Sequence, residues 1–205
     1  MPDNQAKILN SIDDQTDRLG RLIQQLLDVS RFEAGGGRLE IRPFELRAFL
    51  DELGQSFEVL AYQNEIDFRV VTDDRLADEI PGDPDRLNEV LGNLLSNAFK
   101  FTPRGGRIEL RARPMTRAGD EGVVIEVSDT GVGIPADNLP RVFEKFYQVE
   151  NEAQPKSVGS GLGLAISREI VEAHGGTISA ESEVGSGTTF RVLLPVHAGQ
   201  PTAGG

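Results

Sequence analysis

The chain reads as α+β, with helices layered on one face of a sheet and one long helix ahead of that layer. Three observations carry this reading. Two strand-like runs, "GRIELRAR" at 106–113 and "GVVIEVS" at 122–128, lie close enough to pair as a hairpin around "PMTRAGDE". Residues 86–100, wound at about 3.6 residues per turn, place Leu87, Val90, Leu91, Leu94, Leu95, Ala98 and Phe99 on one side, as a helix covering a sheet requires. A heptad-spaced segment from Leu9 to Glu33 is cut from the rest by Gly35, Gly36 and Gly37. Consecutive strands mixed with helices argue a sheet covered on one face.

Taken in order, positions 9, 12, 16, 19, 23, 26, 30 and 33 step by three and four, and Leu9, Ile12, Leu19, Ile23 and Leu26 make most of them apolar. Leu22 and Val29 widen the stripe beyond a two-helix seam, so the helix suits a four-helix bundle with a partner helix. The alternative is a lone amphipathic helix folded back on the domain. The glycines end it and set a boundary, leaving 1–35 as a helical segment and 38–195 as the main domain. Within that domain the pattern predicts a strand near 38–42, a helix near 45–62 and a strand at 66–71 ("IDFRVV"). The 86–100 helix and the hairpin follow, then a loop-rich section to about 160, a helix at 162–174, and strands at 176–181 and 187–194. The tail, 196–205, reads as disordered.

The 205 residues carry 21 Lys and Arg against 33 Asp and Glu, a net charge of −12. That is the wrong sign for tracking a phosphate backbone, so nucleic acid is not an expected partner. Cysteine is absent, which removes disulfides, thiolate nucleophiles and zinc-thiolate sites together and suits a reducing compartment. No run approaches the roughly 20 apolar residues of a membrane span, and residues 1–20 are too polar for a signal peptide. The expected location is cytoplasmic, with any membrane anchor outside this chain.

The outward face of the 86–100 helix holds Glu89, Asn93, Asn97 and Lys100. Asparagine is a mediocre helix former, so the row asks for a reason. An amide oxygen is a hard ligand suited to Mg²⁺, which takes one or two protein oxygens plus substrate phosphates, and Lys100 could meet a phosphate. A solvated face is the other reading. "VVIEVSDTGVGIP" ends a strand at Asp129 and turns at Gly131 and Gly133. A carboxylate there can accept from adenine's exocyclic amine and would reject guanine's carbonyl; an ordinary Asp-Gly turn would leave the same letters. A dinucleotide fold is rejected, since "GVGIPA" lacks the third glycine and puts Pro135 where a helix should begin. In "VGSGLGLAISREIVEAHGG", Gly159, Gly161 and Gly163 precede a helix whose free N–H groups would suit phosphate; the preceding "QVENEAQPKSV" suits a mobile lid or a flexible linker. His174 reads as a helix C-terminal residue bonded to the last carbonyls. In "RVFEKFYQ" both Phe143 and Phe146 are expected in the core, docking a short helix, while Lys145 and Tyr147 could reach a phosphate. In "GSGTTF", Thr188 could reach a base.

In order and spacing these stretches together resemble the ATP-binding domain of sensor histidine kinases, within the GHKL ATPase superfamily. "NLLSNAFKFTP" resembles the family's N box, "DTGVGIP" its first Gly-rich box and "FEKFYQ" its F box, with "GSGLGLAI" and "GSGTTF" as its second and third Gly-rich boxes. The likeness spans about 38–195, and "RLGRLIQQLLDVSRFEAG" resembles the second helix of the family's dimerisation and phosphotransfer domain. The resemblance implies a two-layer sandwich of a mixed sheet and helices preceded by one long helix, and an ATP-dependent protein-histidine kinase. It implies that Asn97 holds Mg²⁺ and that Asn93 holds the metal or a phosphate. Lys100 and Lys145 would face the phosphates. Asp129 would bind the adenine amine, with Gly131 and Gly133 admitting the base and Thr188 assisting. Gly159, Gly161 and Gly163 would hinge the lid and present donors, with Leu164 beside them at the nucleotide. The implied partners are a bundle domain carrying the phosphoacceptor His, a second subunit in the whole protein, and a response regulator.

One departure is large. The family's phosphoacceptor is a His followed by an acidic residue, and this chain has His174 and His197 alone, neither in that setting. The acceptor helix is expected upstream of Met1, so the chain is expected to bind ATP without phosphorylating itself, with no catalytic residue of its own. Competing readings are the hydrolysing and serine-kinase branches of the superfamily, which place a Glu where Asn93 stands, and a nucleotide-binding module without catalysis.

Overall fold

A computed structural model describes residues 39–117, 120–149 and 160–196. The heptad helix expected within 1–35, Gly159 with most of the polar stretch before it, and nearly all of the tail lie outside the described residues. The elements are β1 (Arg42–Glu45), α1 (Leu46–Asn64), β2 (Asp67–Thr72), β3 (Glu79–Gly82), α2 (Pro84–Phe101), β4 (Arg107–Arg117), β5 (Asp120–Asp129), a 3-10 turn (Leu139–Arg141), α3 (Gly163–Ala173), β6 (Thr177–Glu183) and β7 (Gly187–Pro195). Five strands form one mixed sheet in the order β2-β4-β5-β7-β6, with β2 parallel to β4 and the other neighbours antiparallel. β1 and β3 form a separate antiparallel pair.

Period-two alternation assigns the two faces of the sheet. Ile108, Leu110 and Ala112 of β4, Val123, Ile125 and Val127 of β5, and Phe190, Val192 and Leu194 of β7 are buried in one core with Leu46 and Leu50 of α1, the apolar side of α2, and Ile166, Ile170 and Val171 of α3. The opposite face carries ion pairs. Arg111, Glu126 and Arg191 stand in register across β4, β5 and β7, and the Arg191 Nε donates to the Glu126 Oε1 at 2.6 Å. This pair is partly buried rather than solvent-exposed, and it does not by itself select the register. A one-residue slip would turn the core-facing residues of a strand to the other face, so the pattern holds the register. That register sets Asp129 opposite Thr188.

α2 begins where Asp83 caps it, the carboxylate accepting from the Arg86 N–H at 3.2 Å, with Pro84 in the first turn. Its seven buried residues, Leu87, Val90, Leu91, Leu94, Leu95, Ala98 and Phe99, are those the periodicity selects.

Three differences from the sequence reading have physical causes. β3 contains Pro81 and is short, so period and propensity gave no strand signal; it forms because β1, shifted to Arg42–Glu45, pairs with it. "PMTRAGDE" is mostly strand rather than loop, since β4 runs on to Arg117 and β5 starts at Asp120. Pro114 is tolerated because β2 pairs with β4 no further than Ala112, which leaves that edge of β4 without a strand partner. Finally, Phe143 is buried and meets Phe190 edge-on at 6.2 Å, but Phe146 takes a left-handed φ of 64° and is 65 % exposed. Its N–H donates to the Gly161 carbonyl at 2.8 Å, and that turn swings the ring off the face Phe143 occupies.

Candidate functional site

The sheet delivers Asp129 to the end of β5. Its Oδ1 accepts from the backbone N–H of Gly131 at 2.8 Å and of Thr188 at 3.3 Å. Burial pushes the carboxyl above the ordinary aspartate value, and these two amides pull it part of the way back. Oδ2 takes no hydrogen bond among the described residues. The neighbouring backbone leaves no room for side chains. Gly187, at φ 112°, passes against the Asp129 carbonyl, where any Cβ would collide with backbone. Gly131 is pressed on the end of α2, since a Cβ there would lie 2.5 Å from the Phe101 carbonyl oxygen, and the Val132 N–H donates to the same oxygen at 3.3 Å. Gly133 turns against the Glu183 backbone.

α2 supplies the other half. Asn93 and Asn97 stand one turn apart, both half-buried, with Lys100 at the end that meets Gly131 and Val132. The Asn93 Nδ2 donates to the Ser167 Oγ at 3.0 Å. A Cβ on Gly163 would fall 2.5 Å from the Asn93 Oδ1, so the first turn of α3 closes directly on that amide. The glycine expected to offer a phosphate donor thus has a second, steric reason to be glycine. Asn97 makes no side-chain hydrogen bond among the described residues. Partial burial pulls the Lys100 ammonium below the usual lysine range, and its Nζ lies 4.7 Å from the Phe101 ring centroid. Lys145 pairs with the Glu169 Oε1 at 2.8 Å. The Tyr147 hydroxyl accepts from the Asn138 Nδ2 at 2.7 Å, under the Arg141 guanidinium. Gly161 holds Phe146, and Leu164 packs half-buried against the core. The sheet end therefore brings Asp129, Gly131, Gly133 and Thr188 together, and the α2–α3 contact brings Asn93 and Gly163 together; Lys145 and Tyr147 hold partners of their own.

Two serines escaped the sequence reading. Ser167 is 1 % exposed, a hydroxyl on the apolar side of α3 one turn after Gly163. The Ser182 Oγ accepts from the Ile134 N–H at 2.7 Å, donates to the Gly187 carbonyl at 2.8 Å and lies 2.9 Å from the Thr188 Oγ1. The available signal was the same for both: a small polar residue in phase with the inward-facing positions of its element, the half-buried Ile178 and Ala180 in the case of Ser182.

Among the described residues no group of three His, Cys, Asp or Glu could hold a metal ion. The donors present are amide oxygens, a set that fits Mg²⁺ when phosphates complete its shell. With its Nδ2 committed to Ser167, Asn93 has Oδ1 left for that purpose. No helix among the described residues is long and apolar enough to cross a membrane.

The architecture and the ordered glycine and asparagine boxes define a class. Residues 82–198 match the family described as "Histidine kinase-, DNA gyrase B-, and HSP90-like ATPase", and the chain belongs to that family as an ATP-binding domain of the sensor histidine kinase type. Among individual proteins, it is 38 % identical over 198 residues to the circadian input-output histidine kinase CikA of Synechococcus elongatus, covering 95 % of this chain and 26 % of that protein. It is 36 % identical to the sensor histidine kinase WalK of Bacillus subtilis, covering 88 % of this chain and 29 % of WalK. The crystal structure of full-length ShkA in complex with AMPPNP superposes with a TM-score of 0.80 at 28 % identity, over 96 % of this chain and 40 % of ShkA. Histidine kinase ThkA, solved in complex with the response regulator protein TrrA, superposes at 0.72 with 26 % identity, over 94 % of this chain and 51 % of that one. The chain thus spans under a third of the length of these two curated relatives.

Proposed function

We propose that this chain binds ATP with Mg²⁺ and that, in its parent protein, it donates the γ-phosphoryl group to a histidine on a helical bundle, from which the group passes to an aspartate of a response regulator. The observation that carries the reading is the Asp129 carboxylate: its Oδ1 is held by two backbone amides, and its Oδ2 is left to accept from an amine. In this reading the adenine amine meets Asp129, with Gly131 and Gly133 admitting the ring and Thr188 beside it. Asn97 and the Asn93 Oδ1 hold Mg²⁺, which supplies charge neutralisation on the phosphate oxygens. Lys100, and Lys145 once parted from Glu169, compensate further phosphate charge. Gly159, Gly161 and Gly163 offer backbone donors to the phosphates, with Leu164 against the nucleotide. The parts supplied are positioning and electrostatics, which is what phosphoryl transfer asks of a protein.

Transfer is favoured over hydrolysis by one residue. Asn93 cannot take a proton from an attacking water as a carboxylate could. The same reading assigns 1–35 to one helix of the dimerisation and phosphotransfer domain and 38–195 to a cytoplasmic nucleotide domain, with the full-length parent a homodimer. The test is direct: a separately made bundle domain bearing the acceptor His is mixed with this chain and ATP labelled at the γ-phosphoryl. Acid-labile label should appear on the bundle and move to a response regulator. Absence of any heat of binding with ATP and Mg²⁺ at millimolar nucleotide would overturn the proposal.

A further inference from the structure

Ser182 ties β6 to two other pieces of chain: the Ile134 N–H after the Asp129 loop, and the start of β7, where it meets the Gly187 carbonyl and the Thr188 hydroxyl. A hydroxyl has one proton and two lone pairs. The Ile134 N–H can only donate, so it takes one lone pair; the Gly187 carbonyl can only accept, so it takes the proton. The contact with the Thr188 Oγ1 must then use the remaining lone pair of Ser182, which makes Thr188 the donor. With its own proton so committed, Thr188 has only lone pairs to offer a ligand, as does the Asp129 Oδ2 across the β5–β7 register. We infer that Ser182 is a specificity-determining positioning residue: by fixing the direction of the Thr188 hydroxyl it makes the site accept hydrogen bonds only, selecting a purine that carries an amine at C6.

This rests on the nucleotide reading above and adds to it a residue that would not touch the ligand. Adenine presents N–H groups at C6. Hypoxanthine presents a carbonyl there, whose lone pairs would face those of Asp129 and Thr188. Without Ser182 the Thr188 hydroxyl is free to rotate and donate to that carbonyl, so discrimination should narrow.

The experiment is calorimetric titration of wild type and Ser182→Ala with ATP and with inosine triphosphate, Mg²⁺ present throughout. Expected is a wild-type preference for ATP that falls about tenfold in the variant, the worth of roughly one hydrogen bond, and a Thr188→Val background on which Ser182→Ala no longer changes the ratio. Equal weakening of both nucleotides, or an unchanged ratio, would mean that Ser182 only braces the fold and would overturn the inference while leaving the ATP reading intact. Should Ser182→Ala fail to fold, Thr188→Val alone reads the proton direction: an acceptor hydroxyl predicts that ATP loses more affinity than inosine triphosphate, and the reverse order refutes it. Wild type that binds neither nucleotide removes both proposals.

Discussion

Asp129→Asn separates binding from folding. Asparagine keeps a carbonyl-type Oδ1 to accept from Gly131 and Thr188, so the loop retains its anchors. What changes is the other atom: an acceptor becomes an N–H₂ donor, and the buried charge is gone. Toward an amine ligand the variant loses one charge-assisted hydrogen bond, about 1.5–3 kcal/mol, and leaves facing donors unmet, about 1–3 kcal/mol more. The sum, ~2.5–6 kcal/mol, corresponds to a loss of roughly a hundredfold to ten-thousandfold in affinity. Calorimetry with ATP and Mg²⁺ measures it, and an affinity within about threefold of wild type would remove Asp129 from base recognition. Stability should move the other way. Burial raises the folded-state carboxyl above its unfolded value, so above that raised pKa the wild type carries a desolvated charge that the variant lacks. The variant should therefore unfold at the same or a higher temperature near neutral pH. As pH falls through the raised folded value toward the unfolded one, near 3.9, the wild type gains stability by protonation and the gap closes. A variant that is less stable at neutral pH would show that the anchors depend on the charge.

Asn97→Ala should make nucleotide affinity nearly independent of Mg²⁺, measured by titration with the metal present and with it chelated; a surviving dependence reassigns the metal. Gly163→Ala places a methyl 2.5 Å from the Asn93 Oδ1, and overpacking of this kind costs about 1–3 kcal/mol. Denaturant unfolding should register that cost together with weaker Mg²⁺-dependent binding, and an unchanged midpoint would show that α3 shifts freely. Leu94→Ala, at a fully buried site on α2, should cost about 2–5 kcal/mol and lower the denaturant midpoint with the slope unchanged.

The parts of the fold that were legible in the sequence are those where one strong period governs: the apolar side of α2, the alternation of β4, β5 and β7, and α3. The β1–β3 pair was not, because short strands containing prolines form only when their partner is present. Phe146 misled for a related reason. Its spacing from Phe143 suits a helix face, but a left-handed turn held by Gly161, fifteen residues on, decides where the ring goes. In the site, residue types suggested the chemistry and the contacts supplied its logic. Nothing in "TISAESE" tells that Ser182 accepts from one loop and donates to another, since both bonds depend on where chain outside the strand arrives.

Helix α2 explains why the candidate metal ligands are asparagines on a buried helix rather than on a loop. Each Asn costs roughly half a kcal/mol of helix propensity relative to alanine, whereas a leucine on the other side of the same helix contributes several times that by burial. The penalty is therefore small beside the packing that fixes the helix. Phe57 of α1 stacks on Phe99 at 5.5 Å and 12°, Ser167 of α3 accepts from Asn93, and Val132 seals the far end against the Phe101 carbonyl. At the near end the Asp83 N–H donates to the His174 Nε2 at 3.0 Å, while the His174 Nδ1 lies 2.8 Å from the Ile170 carbonyl, which requires the neutral ring with its proton on Nδ1. Clamped in this way, α2 cannot rotate its amides out of line without breaking core contacts as well. A metal-phosphate ligand set carried on such an element needs little reorganisation on binding, and for the same reason substitutions on the buried side of α2 should alter nucleotide affinity without touching the nucleotide.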